Sequence, residues 1–196
     1  LLLALDARDY DLLHITSDAV RRMSEGELLQ LETARKLDMT EERYFQIIAD
    51  KTGSLIAACM AAGAASAGAD EKTVARAKAI GETIGLAFQI RDDLFDYDPS
   101  AAAGKPVGLD LQDRKMTLPL ILALERADDP TRKRIRRIVR KRKKSRAEVD
   151  EVVTFVTTSG GLAEARARMV TLATDAADAL GAFPVSDARD ALVGLC

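Results

Sequence analysis

The chain has 196 residues, with 29 Lys or Arg against 31 Asp or Glu and a formal net charge of −2, so it is long enough for one domain with a real core and makes no global electrostatic case for nucleic acid. Its 47% hydrophobic and 31% charged residues match an ordinary soluble globular protein. Aromatic residues are 4% and Trp is absent, which disfavours a site that must surround a carbocation with ring faces.

Helical periodicity runs through nearly the whole chain. Residues 1–37 read as one or two helices with a break near Asp9-Tyr10-Asp11. Thr40 is the expected N-cap of the next, with Glu41 and Glu42 in the first turn, and that helix should end near Ala67 at Gly68. Asp70 caps another, which runs to about Tyr97 and stops ahead of Pro99. Residues 98–108 form a loop rich in Gly, Pro, Ser and Ala. Further helices are expected at about 115–127, 130–143, 146–157 and 161–180, and from Asp187 onward. The β-branched run Val152-Val153-Thr154-Phe155-Val156 is the nearest thing to a strand, but it follows a good helix start at Ser145. One all-α domain over residues 1–196 is the simplest organisation. The chain opens in a helical pattern without a capping residue and closes inside the pattern begun at Asp187, so both ends are expected to be cuts through a longer structure.

Several chemistries are excluded by what is scarce. Cys59 and Cys196 do not make a disulfide framework, which fits a reducing cytosol. The single histidine, His14, cannot build a His-based metal site or a Ser-His-Asp triad. The best membrane-span candidate, residues 55–69, is shorter than the ~20 residues a span needs, and no signal peptide is seen. Residues 132–146 are very basic and read as a solvated helix and loop; without interleaved aromatics they are a poor nucleic-acid surface.

The most informative segment is Phe88-Gln89-Ile90-Arg91-Asp92-Asp93-Leu94-Phe95-Asp96. On a helix, Gln89, Asp92, Asp93 and Asp96 fall within an arc of about 100°. Asp92 and Asp96 repel at i,i+4 and sit at the helix end disfavoured by the macrodipole. A bound hard cation such as Mg²⁺ reverses both terms and keeps waters for phosphate oxygens. Gly81 and Gly85, upstream on the same face, are expected to leave a groove for an apolar tail. Lys51-Thr52 interrupts an apolar helical face, and the nearby Ala57, Ala58, Ala61, Ala62, Gly63 and Ala64 either allow close helix packing or leave room for a ligand. Lys105 and Lys115 lie just beyond the carboxylates. Each lysine alone reads as a surface residue, but the three together could neutralise a diphosphate bridged by metal.

These segments resemble, in order and spacing over residues 1–123, the trans-isoprenyl diphosphate synthases (polyprenyl synthetases), most closely the bacterial medium- and long-chain enzymes that make quinone side chains. Residues 88–96 resemble the second aspartate-rich motif of that family and Lys51-Thr52 its diphosphate-binding pair. Lys105 in Gly-Lys-Pro-x-Gly-x-Asp and Lys115 before Thr-Leu-Pro resemble two further diphosphate contacts. Ser24-Glu25-Gly26-Glu27-Leu28-Leu29-Gln30 resembles the helix that faces the first aspartate-rich motif. That first motif, the N-terminal Gly-Lys-x-x-Arg segment, the Arg-Arg pair and the basic C-terminal tail are absent from these residues.

The resemblance implies an isoprenoid-synthase-type helical bundle, a Mg²⁺ cofactor, allylic and isopentenyl diphosphates as substrates, a homodimer, a cytoplasmic location and a linear trans-polyprenyl diphosphate as product. It implies metal binding by Asp92, Asp93 and Asp96, with Asp92 the first choice for a direct ligand. Lys51, Lys105 and Lys115 would hold the allylic diphosphate, and Thr52 and Gln89 would sit beside the reacting carbon. Two alternatives stay open: a terpene cyclase, disfavoured by the few aromatics, and a non-catalytic subunit that tunes an active prenyltransferase, suggested by the missing first motif.

Overall fold

The computed structural model describes residues 1–36, 39–97 and 107–196. All regular elements among the described residues are helical: α1 (Leu2–Asp6), α2 (Tyr10–Lys36), α3 (Glu41–Ile48), a π turn (Ala49–Gly53), α4 (Ser54–Ser66), α5 (Glu71–Phe95), α6 (Leu109–Gln112), α7 (Leu118–Arg126), α8 (Asp129–Arg140), α9 (Arg146–Thr158), α10 (Gly161–Leu180) and α11 (Asp187–Val193). The chain divides into two compact units, one of residues 1–30, 45–88 and 170–196 and the other of 31–44 and 89–169.

Local chemistry sets the helix ends where the sequence placed them. Thr40 Oγ1 accepts from the Arg43 N–H at 3.2 Å, and Asp70 Oδ1 accepts from the Thr73 N–H at 2.8 Å, so each side chain satisfies an orphan donor of the first turn. Ser145 and Glu148 form a complete capping box, which lets the β-branched run 152–156 fold as helix. The helix expected over 115–127 begins three residues later. Thr117 is extended, with its hydroxyl on the Tyr97 hydroxyl at 2.9 Å, and Pro119 occupies the first turn, where its missing N–H costs nothing.

The first unit is held by small residues. A Cβ placed on Gly81 would lie 2.8 Å from Ala57 Cα, and one on Gly85 would lie 2.6 Å from Gly53 Cα. α5 therefore packs backbone to backbone against α4 and the π turn. Ala57, Ala58 and Ala61 are buried. This corrects the expectation that Gly81 and Gly85 leave an open groove. Both are buried, and helices that approach this closely need glycine because even a methyl group has no room. The alanine-rich stretch serves the same contact.

The π turn makes α3 and α4 one run of 26 residues, Glu41–Ser66, long and apolar enough by length and composition to cross a membrane. The sequence reading counted only residues 55–69. Midway along the run Asp50 pairs with Arg22 and Lys51 with Glu27.

The second unit is built on α7. Every residue from Leu118 to Leu124 is buried, as expected for a helix that is apolar all round. α9 lays Val149, Val152 and Val156 into this core, and α8 adds Ile135, Ile138 and Val139. Gly161, the first residue of α10, fits beside Pro119 and Ala123 without space for a side chain.

Two glycine substitutions should act in opposite directions. Gly85→Ala forces a Cβ onto backbone that cannot swing aside and should cost about 1–3 kcal/mol. Gly63→Ala, in α4 with nothing within 4 Å of the new Cβ, should add about 0.5–1 kcal/mol through helix propensity. Urea unfolding of the two variants checks this, and equal effects would refute the close-packed α4–α5 contact.

Candidate active-site clusters

The residues singled out in the sequence fall into two clusters, one in each unit. In the first unit, the π turn carries Lys51 and Thr52. Its wide turn is closed by the Ser54 N–H donating to the Ala49 carbonyl, five residues back, and by Ser54 Oγ donating to the Asp50 carbonyl at 2.5 Å. π turns inside α-helices recur at functional sites. This one is clamped from two sides. A Cβ on Gly26 of α2 would lie 2.9 Å from Lys51 N, and α5 presses Gly85 onto Gly53.

Lys51 leaves this turn half exposed. Its Nζ pairs with Glu27 at 2.7 Å and donates to Gln30 Oε1 at 3.0 Å. Glu27 and Gln30 belong to the motif read on residues 24–30. The partners of the neighbouring Asp50 were not foreseen. Arg22 donates from Nε to Asp50 at 2.8 Å and from Nη2 to Glu82 on α5 at 2.6 Å. Burial opposes the charge of Arg22, yet the two carboxylates outweigh it and raise its pKa. One cation thus ties α2, the π turn and α5. The available signal was the spacing of Arg22 and Gly26 at i,i+4, which puts a cation and a close-approach residue on one helix face.

In the second unit, the last two turns of α5 carry Gln89, Asp92 and Asp93, Asp96 follows one residue beyond the helix, and the three carboxylates are placed differently. Asp92 is exposed. Asp93 is only 4% exposed. Its Oδ2 accepts from the Tyr44 hydroxyl at 2.6 Å and its Oδ1 from Gln89 Nε2 at 3.0 Å. Burial pushes its pKa up to about 7, helped by Asp110 and Asp92 and opposed by the two donors. Burial and Asp93 together push the Tyr44 phenol well above its ordinary range.

Asp96 is half buried. Burial and the charge of Asp110 raise its pKa to about 6, against backbone N–H donors from Asp110, Leu109 and Gly108. The chain reaches those donors through Gly108, whose φ of +86° is left-handed and whose N–H bonds the Asp96 carbonyl at 3.0 Å. Asp96 Oδ2 is buried with no hydrogen-bond partner among the described residues.

Lys115 Nζ pairs with Asp110 at 2.7 Å. Burial lowers its pKa, but the Asp110 hydrogen bond and charge win and raise it. Asp110 closes the Gly-Lys-Pro-x-Gly-x-Asp motif, so it was on the page as sequence without a role. Tyr44, seven residues before Lys51, gave no signal beyond lying on an amphipathic helix. Lys105, expected to hold diphosphate, lies outside the described residues.

The resemblance implies Asp92, Asp93 and Asp96 as metal-binding residues with Asp92 the first choice, and the structure gives the three different surroundings. Successive helix residues are about 100° apart, so Asp92 and Asp93 take opposite edges of the carboxylate arc, one facing out and one facing in. With both oxygens engaged, Asp93 holds the helix end in place. Among the described residues no three Asp, Glu, His or Cys side chains gather into a metal-holding group. Asp92 and Asp96 still fit Mg²⁺, which is commonly held by one or two carboxylates while water and phosphate oxygens fill its other positions. The unpartnered Asp96 oxygen suits such a cation.

The family model described as polyprenyl synthetase matches residues 1–156. The chain belongs to the polyprenyl synthetase family. It is 34% identical over 184 residues to the octaprenyl diphosphate synthase of Escherichia coli strain K12, covering 93% of this chain and 57% of that protein. It is 36% identical over 194 residues to the all-trans-nonaprenyl-diphosphate synthase (geranyl-diphosphate specific) of Rhodobacter capsulatus, covering 98% and 59%. A polyprenyl synthase from Caulobacter crescentus CB15, solved in complex with calcium and isoprenyl diphosphate, superposes with a TM-score of 0.89 at 34% identity, over 98% of this chain and 59% of that one. The all-α isoprenoid synthase fold of the family is therefore the fold of this chain, which spans less than two thirds of the length of these relatives.

The raised carboxyls fix a pH dependence. A group whose pKa is higher folded than unfolded favours the folded state when protonated, so this stability is fully present below the ordinary carboxylate value of about 4 and is lost as pH rises from there to about 6 for Asp96 and about 7 for Asp93. Asp18, Asp70, Asp128 and Glu148, held low by hydrogen bonds, act in the opposite sense, but only below about pH 4 to 5. Metal-free protein should therefore resist urea better at about pH 5.5 than at about pH 8, and Asp93→Asn should remove most of that difference. Equal midpoints in the parent, or an unchanged difference in the variant, would refute the buried-carboxyl account.

Proposed function

We propose that this chain is the larger part of a Mg²⁺-dependent polyprenyl diphosphate synthase. It would join isopentenyl diphosphate to an allylic diphosphate to give a linear trans-polyprenyl diphosphate. The observation that carries the reading is the Asp92–Asp96 pair at the end of α5, with its buried, unpartnered oxygen, in a chain of the polyprenyl synthetase family. The calcium and isoprenyl diphosphate of the Caulobacter relative support the same classes of ligand here.

In the reaction the allylic C1–O bond breaks and pyrophosphate leaves with the electron pair. The double bond of isopentenyl diphosphate then forms the new bond to C1, and a proton is lost from the adjacent carbon, with the released pyrophosphate as its acceptor. Bound Mg²⁺ would supply Lewis-acid stabilisation of the leaving diphosphate.

The residues of the chain supply the rest. Asp92 and Asp96 would hold the cation, and Asp93 positions them through Tyr44 and Gln89. Lys51 and Lys115 would receive diphosphate oxygens, each already oriented by a carboxylate at 2.7 Å, and Lys105 would add a third ammonium. Thr52 and Gln89 are assigned beside the reacting carbon. No side chain is needed as a base, which agrees with a sequence that offers no histidine near these motifs. A homodimer and a cytoplasmic location belong to the same proposal.

Asp92→Ala in the full-length protein should lower the rate of isopentenyl diphosphate incorporation by at least ~100-fold, and its activity should need more Mg²⁺. Asp92 is exposed, so the variant should fold. Activity close to that of the parent would overturn the metal assignment.

A further inference from the structure

Eleven of the fifteen residues in 132–146 are Lys or Arg and none is acidic, in a chain whose net charge is −2. The helix α8 sorts them. Ile135, Ile138 and Val139 are buried on one side. Lys133, Arg136, Arg137 and Arg140 recur at i, i+3, i+4 and i+7 on the other, within an arc of about 100°. All four are exposed, as are Arg142 and Lys143 just beyond the helix.

The remaining cations of the segment are engaged. Arg132 binds Asp129 and the carbonyls of Leu124 and Ala127. Arg134 pairs with Glu151, Lys141 with Glu148 and Arg146 with Asp150, and Lys144 donates to the Lys141 carbonyl. The six exposed side chains have no acidic partner among the described residues. Like charges one turn apart destabilise a helix, and the helix dipole favours only Arg137 and Arg140, which stand in its last turn, so folding does not call for all six, and a solvated face could be built from neutral or mixed residues. No aromatic side chain stands among them, which removes the stacking platform that single-stranded nucleic acid uses.

We propose that this stripe docks the protein on an anionic lipid bilayer. Charge complementarity selects a negative surface. The choice of a bilayer over another polyanion rests on the synthase reading, because a polyprenyl diphosphate pairs a long hydrocarbon with an anionic head and leaves water for a membrane. α8 has 12 residues and is about 18 Å long, enough to meet several headgroups. Each Lys or Arg near such a surface strengthens binding roughly fivefold. Six make a firm attachment that salt can reverse, with no inserted segment.

The test is sedimentation of the full-length protein with vesicles of phosphatidylcholine containing about 30% phosphatidylglycerol, and with pure phosphatidylcholine. Binding to the anionic vesicles is expected at about 0.1 M salt, with release at about 0.5 M and none on the neutral vesicles. The combined variant Arg137→Gln, Arg140→Gln, Arg142→Gln and Lys143→Gln should bind at least ~10-fold more weakly and melt like the parent. Lysine at the three arginine positions should restore binding. Equal binding by parent and glutamine variant, no preference for anionic vesicles, or tighter binding to duplex or single-stranded nucleic acid than to vesicles would overturn the proposal. Turnover is measured on the same samples: turnover without vesicle binding removes the docking surface alone, and vesicle binding without turnover removes the synthase reading alone.

Discussion

In the first unit the backbones of Gly53 in the π turn and Gly85 on α5 lie so close that a Cβ on Gly85 would stand 2.6 Å from Gly53 Cα. A π turn has poorer hydrogen-bond geometry than the α-helix around it and persists where neighbouring structure over-determines it. Here the determinants are steric and electrostatic together. Gly26 and Gly85 remove the side chains that would hold α2 and α5 away from the turn, and Arg22 then draws Asp50 and Glu82 to a single guanidinium. Lys51 and Thr52 inherit their direction from this clamp. A larger residue at Gly26 or Gly85 would move the turn before it touched the side chain of Lys51 or Thr52.

The second unit meets the opposite problem, since it must keep acids where neither solvation nor the helix dipole favours them. Asp93 is stabilised by two side-chain donors, Tyr44 and Gln89, and Asp96 by backbone N–H groups delivered through the left-handed Gly108. Both pKa values still end well above the ordinary carboxylate range, so the donors do not fully offset burial. The remaining unfavourable energy falls on groups that a divalent cation can relieve directly at Asp96 and indirectly at Asp93. On the proposed reading the empty site loses stability as pH rises through these values, and its affinity for a cation would rise over the same range.

Helix boundaries were legible wherever one residue controls them. Thr40, Asp70 and Ser145 mark their helices in the sequence as they do in the structure, because a cap is a local interaction. The π turn was not legible. Wheel reasoning assumes 3.6 residues per turn, and a wide turn at residues 49–53 breaks the phase between Ile48 and Leu55. The same assumption misread Gly81 and Gly85, since periodicity says which residues share a face but not what lies against it. The carboxylate segment was legible as a cluster and illegible as a hierarchy. That Asp93 turns inward depends on Tyr44, 49 residues away in sequence. Such partners have no signature at the position itself.

On the proposed reading, Lys51 and Lys115 would be basic side chains of an anion site prepared in advance. Each is held at 2.7 Å by one carboxylate, Glu27 or Asp110, although a free lysine would be the simpler attractor. A free lysine retains rotamer entropy of about 2 kcal/mol that must be lost on binding, and its ammonium is strongly hydrated. Pairing with an acid removes part of both costs before the ligand arrives, and a half-exposed partner such as Glu27 is weak enough to share its lysine with a diphosphate oxygen. Each acid also balances the charge of its own lysine without ligand, so that neither ammonium depends on the anion for a partner. Preorganisation of this kind favours a ligand that brings its own counter-charge, because an anion arriving without a cation would set fresh negative charge beside Glu27 or Asp110. The acidic partners of the lysines thus argue for diphosphate bound together with metal over diphosphate alone.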